Sequence, residues 1–348
     1  MNKYTLSVMT FAKEVKEYIF NPNEKYIKWG AKNDIPFELL KLYDSVPEHA
    51  SAINFIKTNL VGEGTPEIDF WLLNKLAEDF LIFGGFSAEV GKKRNGGGDV
   101  KWMDRSKVRW NPNKTRLGYA DDWTQYRVNL IFYPVADSVS DAGIFVFDSA
   151  RTRSDYPKPH YMAAALSLDT MSAILEYHNN NARTGFAPNV LINFNNGEPE
   201  EDVKREIEKQ IKEKFTGTTG EKIILAFNES KETATTIDKI ENDNLDQKFE
   251  TLQKFIQNQT IVAHQITSAQ LIGVKAENQG FSKTEFDQAM EVFDKIVVNG
   301  FRREFEYGLS KLYGKEIKLK KLEAVTALID NPVGRPVGTT NKPNTETV

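Results

Sequence analysis

Y-H-N-N-N-A-R-T-G-F-A-P-N-V-L-I, from Tyr177 to Ile192, is where the chain passes from one kind of local structure to another. Before it, Met162 to Asn181 reads as a single helix, rich in the small residues Ala163, Ala164, Ala165, Ser167 and Ala173 that let another helix approach closely. At 1.5 Å per residue that helix would be roughly 30 Å long. After it, Asn189 to Phe194 reads as a strand, and Asn195-Asn196-Gly197 as a turn. Pro199 then opens a helix to Phe215, with Glu200, Glu201 and Asp202 at its positive end and a ridge of Val203, Ile207, Ile211 and Phe215. Lys222 to Phe227 supplies a second strand, so a small β-α-β unit follows the helix.

Working outward, a second long helix is predicted over Leu245 to His264, with the stripe Leu245, Phe249, Leu252, Ile256 and Val262. Thr267 to Ser282, containing Gly273 and Gly280, interrupts it. The cleanest periodic signal runs from Lys283 to about Tyr313: Phe286, Met290, Phe293, Ile296, Val297, Phe301, Phe305 and Leu309, a helix of roughly 45 Å. Past Leu328 the tail N-P-V-G-R-P-V-G-T-T-N-K-P-N-T-E-T-V has almost no core formers and reads as disordered.

Toward the N-terminus, Trp29 to Phe37 reads as a loop leading to a short helix over Phe37 to Leu42, with Pro36 in its first turn. Glu48 to Leu60 is a helix on Ile53, Ile56 and Leu60, ended by Gly62 and Gly64. Another follows Pro66 on the stripe Phe70, Leu73, Leu76, Ala77, Phe80 and Leu81, stopped by Gly84-Gly85. From Phe86 to Tyr119 the period becomes two, and Gly96 to Gly98 mark a hairpin turn. Strand-like runs at Tyr126 to Tyr133 and Gly143 to Phe147 complete an α+β section that ends near Tyr156 to His160. The chain shows no internal repeat.

Composition narrows the function classes. With 40% hydrophobic residues among 348, the chain has material for two or three compact substructures. It has no cysteine, which removes disulfides, thiolate catalysis and cysteine-ligated metals and suits a reducing compartment. No run of eighteen apolar residues and no signal-peptide core is present, so neither membrane insertion nor secretion is expected. The net charge of −4 argues against a dominant basic surface that grips nucleic acid through phosphates. A conduit along which DNA slides is compatible with it, since tight phosphate contacts would impede movement.

The sequence resembles the portal proteins of tailed bacteriophages of the HK97 type. Four segments carry the resemblance, in family order and spacing: D-F-L-I-F-G-G-F-S-A-E-V (Asp79 to Val90), the Tyr177 to Ile192 junction, I-K-E-K-F-T-G-T-T-G-E-K-I-I-L-A (Ile211 to Ala226), and D-N-L-D-Q-K-F-E-T-L-Q-K-F (Asp243 to Phe255) continuing into I-V-A-H-Q-I-T-S-A-Q-L-I-G-V (Ile261 to Val274). It covers roughly Trp29 to Tyr313. One departure is that portals often carry proline after the second stem helix, where Ala269 or Gln270 stands here.

The resemblance implies an α+β portal fold: a wing over 1–160, a first stem helix over 161–182, a β-α-β clip over 183–244, a second stem helix over 245–266, a tunnel loop over 267–282, a wing and crown helix over 283–328, and the tail 329–348. It further implies a homo-oligomeric ring, commonly of twelve subunits, at one capsid vertex of the virion, made in the host bacterial cytoplasm. Double-stranded DNA would cross the ring during packaging and ejection. The partners implied are the large terminase subunit, the major capsid or scaffolding protein and a head-completion or adaptor protein. No catalytic centre, cofactor, metal or membrane is implied.

Gln270, Lys275 and Asn278 on the tunnel loop are then the candidates for DNA contact, an ordinary surface loop being the alternative reading. Glu200, Glu201 and Lys204 at the start of the clip helix are the candidates for terminase or adaptor docking. Lys101, Arg105, Lys107 and Arg109 would share one strand face opposite Trp102 and Trp110, an interleaving that nucleic-acid binders use but that more often means a solvated face over a packed one. G-T-T-G-E-K (Gly217 to Lys222) is no phosphate loop, because Glu221 separates Gly220 from Lys222 and Ile223 replaces the required hydroxyl. Asp238, Glu241, Asp243 and Asp246 fail the calcium-loop pattern, with Ile240 at the third position and Asp243 where glycine is needed, and read as a solvated turn in which Asp243 or Asn244 caps the next helix. His49, His160, His178 and His264 are too far apart for a helical pair and read as structural, with convergence in the fold left open. Two other classes stay in view: a metal-dependent nucleic-acid-processing enzyme using Asp238 and Asp243, and a capsid or adaptor protein without a channel.

Overall fold

Local chemistry sets most of the element boundaries. The computed structural model describes residues 25–92, 98–123, 125, 128–151, 154–183, 190–194, 199–215, 223–227, 245–274 and 283–322. In chain order its elements begin with three helices, α1 (Ile35–Ser45), α2 (Pro47–Val61) and α3 (Phe70–Phe83). Six strands follow: β1 (Gly85–Lys92), β2 (Gly98–Met103), β3 (Val108–Trp110), β4 (Arg116–Tyr119), β5 (Ile131–Pro134) and β6 (Gly143–Asp148). Then come α4 (Ala165–Arg183), β7 (Val190–Phe194), α5 (Glu201–Phe215), β8 (Ile223–Phe227), α6 (Leu245–Ala263), α7 (Lys283–Phe293) and α8 (Asn299–Tyr313). The chain divides into two units, one of Gly30–Ala50 with His160–His264, the other of Ser51–Pro159 with the described residues of 25–29 and 265–322.

The first unit is helical around a β-α-β insertion. A 3₁₀ turn over Met162–Ala164 leads into α4, so the regular helix starts three residues later than its small-residue composition predicts. Leu168, Met171 and Ile174 of α4 are buried, as are Leu39 and Leu42 of α1. β7 and β8 pair in parallel, from Val190 opposite Ile223 to Phe194 opposite Phe227, with α5 as the crossover that a parallel pair requires. Along α6 and the residue that follows it, the buried positions are Ile256, Thr260 and His264, four residues apart. Leu252 is 37% exposed and Val262 69%, so the apolar stripe read from the sequence is split between an inner and an outer face. On α5, Val203 is likewise 49% exposed.

The second unit packs α3, α8 and two three-stranded antiparallel sheets, ordered β2-β1-β6 and β3-β4-β5. Asp69 caps α3 by accepting from the Leu72 N–H at 3.0 Å, which fixes the helix start at Phe70, the first residue of the stripe read after Pro66. Gly84 ends the helix in the left-handed conformation, φ +82°, with its N–H donating to the Phe80 carbonyl. A ring cluster forms the core: Phe80 and Phe305 lie 5.4 Å apart, Phe86 and Phe147 5.4 Å, and Phe86 and Phe305 5.5 Å. Gly308 admits these rings, because a Cβ there would stand 2.7 Å from Phe147 and 2.9 Å from Phe86.

The long C-terminal helix is unbroken in sequence but not uniform. Between α7 and α8 lies a π-helical turn over Asp294–Val298. Its cause is legible in the core pattern, since Phe293, Val297, Phe301, Phe305 and Leu309 are all buried at strict four-residue spacing. Each such step overshoots a 3.6-residue turn by about 40°, and a π turn absorbs part of the drift with an extra residue. Ile296 is consequently turned outward, 70% exposed, against the expectation that it faces the core. The strand predicted over Tyr126 to Tyr133 is shorter, Ile131–Pro134, and the tail after Leu328 lies outside the described residues.

Candidate functional site

Of the predicted docking residues, the structure gathers Glu200, Glu201 and Lys204 into the opening turn of α5. The Lys204 N–H donates to the Glu200 carbonyl at 3.0 Å, and Lys204 Nζ stands 3.7 Å from Glu201 Oε1. Glu201 is well exposed, and the Lys204 side chain is largely covered, with 19% exposure. The acids at this end complement the helix dipole, leaving a compact and mainly negative knob.

The predicted loop begins abruptly after His264, where Gln265 takes a positive φ of 56°. Ser268 caps a 3₁₀ turn over Ala269–Ile272, its Oγ accepting from the Gln270 N–H, and Gly273 closes that turn at φ +83°. Thr267 Oγ1 donates to the Ala289 carbonyl, which ties the loop to α7. Gln270 is half-buried on this turn, while Lys275 and Asn278 lie outside the described residues. Asp238, Glu241 and Asp243 lie outside them as well; Asp246 falls in the first turn of α6.

The basic strand face predicted over Lys101 to Arg109 does not exist. Asp104 accepts from the N–H and hydroxyl of Ser106, and this Asx turn breaks the strand into a 3₁₀ turn over Arg105–Lys107. Arg105 and Arg109 are therefore buried, at 0% and 1% exposure, instead of lining a solvated surface. Arg105 Nη2 holds Asp148 at 3.0 Å and its guanidinium stacks 4.7 Å from the Trp29 ring. Arg109 lies 5.4 Å from Trp29 and 5.0 Å from Trp123, and desolvation lowers its pKa to about 10. Trp102 leaves the aromatic face too: its indole N–H donates to buried Asp79, whose carboxyl is pushed well up by desolvation. These cations organise a core; they do not read phosphates.

Three histidines converge. His49 Nδ1 lies 2.8 Å from His264 Nε2, and His264 Nδ1 lies 2.9 Å from His160 Nε2, so the three rings form one hydrogen-bonded chain in the first unit. His49 and His264 have no solvent exposure, and Tyr161 packs edge-on to His49 at 4.3 Å and parallel to His264 at 5.4 Å. Desolvation lowers the pKa of His49 to about 3 and pushes that of His264 well below its usual range, where charge on the two neighbouring rings adds to the effect. His49 Nε2 is buried without a partner. The chain is thus built to be neutral, each ring passing one N–H to the next. Direct ring-to-ring hydrogen bonds leave no common point for an ion, and among the described residues no group of three His, Cys, Asp or Glu could hold a metal. Separations of 104 and 215 residues explain why no sequence spacing reveals this cluster.

Comparison with known structures bears on the fold as a whole. A chain of the virion of a native gene transfer agent particle is similar over 85% of this chain and 86% of its own, at 14% identity and a TM-score of 0.52. A chain from the neck of such a particle, computed with C12 symmetry, is similar over 85% and 87%, at 15% identity and a TM-score of 0.51. This is the fold of a particle-neck chain. The α+β fold read from the sequence is thereby borne out. An HK97 family phage portal protein from Corynebacterium diphtheriae is also similar, covering 85% of this chain and 98% of its own at 13% identity and a TM-score of 0.43. No protein-family model and no curated protein matches the chain. Within the neck fold, the described residues include no helix long and apolar enough to cross a membrane.

Proposed function

We propose that this chain is a phage portal protein: one subunit of a ring, of about twelve copies, at one vertex of the capsid. The observation that carries the reading is the neck fold, shared over 85% of the chain with a chain of a virion and with one of a C12-symmetric neck. In this reading α4 and α6 are the two stem helices, the β7-α5-β8 unit is the clip between them, and residues 267–282 form the tunnel loop. Double-stranded DNA passes through the ring during packaging and ejection, with Gln270, Lys275 and Asn278 facing it. Glu200, Glu201 and Lys204 belong to the surface on which large terminase docks, and later a head-completion or adaptor protein. The major capsid or scaffolding protein surrounds the ring. The chain has a structural role and no enzymatic one, in a virion assembled in the bacterial cytoplasm.

Apolar exposure in the first unit supports assembly. On α6, Phe255 and Val262 are 55% and 69% exposed, and on α4 Leu166 and Tyr177 are each 44% exposed. So much open apolar surface on two neighbouring long helices suits elements covered by further copies. Negative-stain electron microscopy with native mass spectrometry on the purified protein tests the proposal. Rings with a central hole and a mass near twelve subunits are expected; a chain that stays monomeric with and without capsid and scaffolding proteins would overturn it.

A further inference from the structure

We infer that the hydrogen-bonded rings of His49, His264 and His160 form an acid-released clasp, which ties three segments of the first unit together at neutral pH and lets them part on taking up a single proton. The segments are the first turn of α2, which holds His49, the stretch before the Met162–Ala164 turn, which holds His160, and the residue after α6, His264. Each histidine stands at, or one residue from, an end of one of the unit's stretches of chain, at Ala50, His160 and His264. The clasp closes the unit where those stretches start and stop.

The proton count decides how the rings respond to acid. Three neutral imidazoles carry three ring protons: two lie in the bonds between rings, and the third sits at one end of the chain, on His160 Nδ1 or on His49 Nε2. Each bond holds one hydrogen, so with both bonds kept a fourth proton leaves an N–H at both ends. One of those ends is His49 Nε2, fully buried and without a hydrogen-bond partner among the described residues. A cationic chain therefore strands a donor away from water, or breaks a ring-to-ring bond and opens.

The surroundings do nothing to hold the charge. Tyr161 packs against all three rings, at 4.3 Å from His49, 5.3 Å from His160 and 5.4 Å from His264, and Tyr43 stands edge-on to His49 at 6.5 Å. Burial pushes the Tyr161 phenol up, which keeps it neutral. Glu48, beside His49 in sequence, accepts from the Gln257 amide of α6 at 3.5 Å. Among the described residues no carboxylate offsets a charge on His49 or His264; burial lowers both, and the neighbouring rings lower His264 further. His160 is partly exposed and is the end at which a proton arrives. The clasp is independent of ring assembly.

Hydrogen–deuterium exchange between pH 7.5 and pH 4.5, corrected for intrinsic exchange rates, tests the clasp. Three amides report on it: Ala50, bonded to the Val46 carbonyl, Ala164, bonded to that of Tyr161, and His264, bonded to that of Thr260. An opened ring titrates near its ordinary value of about 6.5, so each pH unit below that favours the open form about tenfold for every proton taken up. Protection at the three amides should fall at least about tenfold per unit below pH 6, while Ile174 in α4 and Phe147 in β6 stay protected. His49→Gln should flatten that slope. A flat profile at the three amides of the parent protein would overturn the inference, as would an equal loss at Ile174 and Phe147, which reports global unfolding. Both are read without a variant, so a His49→Gln chain that fails to fold leaves the test standing; one that folds and keeps the full slope would overturn the inference as well.

Discussion

At the scale of single residues, the histidine chain makes a testable link between burial and pH. His49 titrates near 6.5 when unfolded and near 3 in place, so the unfolded chain binds the additional proton between those values. Stability from this site is therefore fully present above about pH 6.5 and is lost as pH falls toward 3, with His49 alone removing about 2 kcal/mol by pH 5. Urea unfolding of the monomer at pH 7.5 and pH 5 should show that loss in the parent and a flatter profile in His49→Gln; identical profiles would refute the linkage. Gly308 offers a second test. Alanine there gains roughly 1 kcal/mol of helix propensity. It also drives a Cβ to within 2.7 Å of Phe147, in a core with no slack. Net destabilisation of about 1–3 kcal/mol is expected, read as a lower midpoint in thermal unfolding.

At the scale of elements, the useful contrast is between helices whose apolar residues all find a core and helices whose apolar residues do not. α8 buries Phe301, Phe305, Leu309 and Leu312, and the π turn before it keeps the four-residue pattern facing inward. α6 buries Ile256 and leaves Phe255 and Val262 open. If further copies cover that outer face, Phe255→Asp with Val262→Asp should weaken each seam by about 1–2 kcal/mol, enough to abolish rings. The monomer should keep its circular dichroism and unfolding midpoint, because neither side chain contributes to the core. Rings of undiminished stability in the double variant would place the seam elsewhere.

At the scale of the whole molecule, the proposed docking surface predicts a separation of functions. Glu200→Lys and Glu201→Lys combined with Lys204→Glu reverse the charge on the opening turn of α5, at two exposed acids and one lysine that is largely covered. Ring assembly should persist, and binding of the purified large terminase should fall by about tenfold or more, since charge juxtaposition governs encounter and register. Unchanged binding would remove this turn from the docking surface.

The sequence by itself determined the element order. Periodicity placed the helices because a stripe at 3.6-residue spacing has few other solutions, and Asp69, Gly84 and Pro199 marked boundaries through local capping and backbone chemistry. The segment order also carried the α+β fold that the likeness to solved structures bears out. Where a side chain ends up was a different matter. Arg105 and Arg109 look like a solvated basic face until an Asx turn rotates them onto Trp29, although Asp104 and Ser106 held the clue. The convergence of His49, His160 and His264 and the exposure of Val262 left no trace in local spacing. Each depends on contacts between residues distant along the chain, and only the tertiary structure fixes which of those distant groups meet.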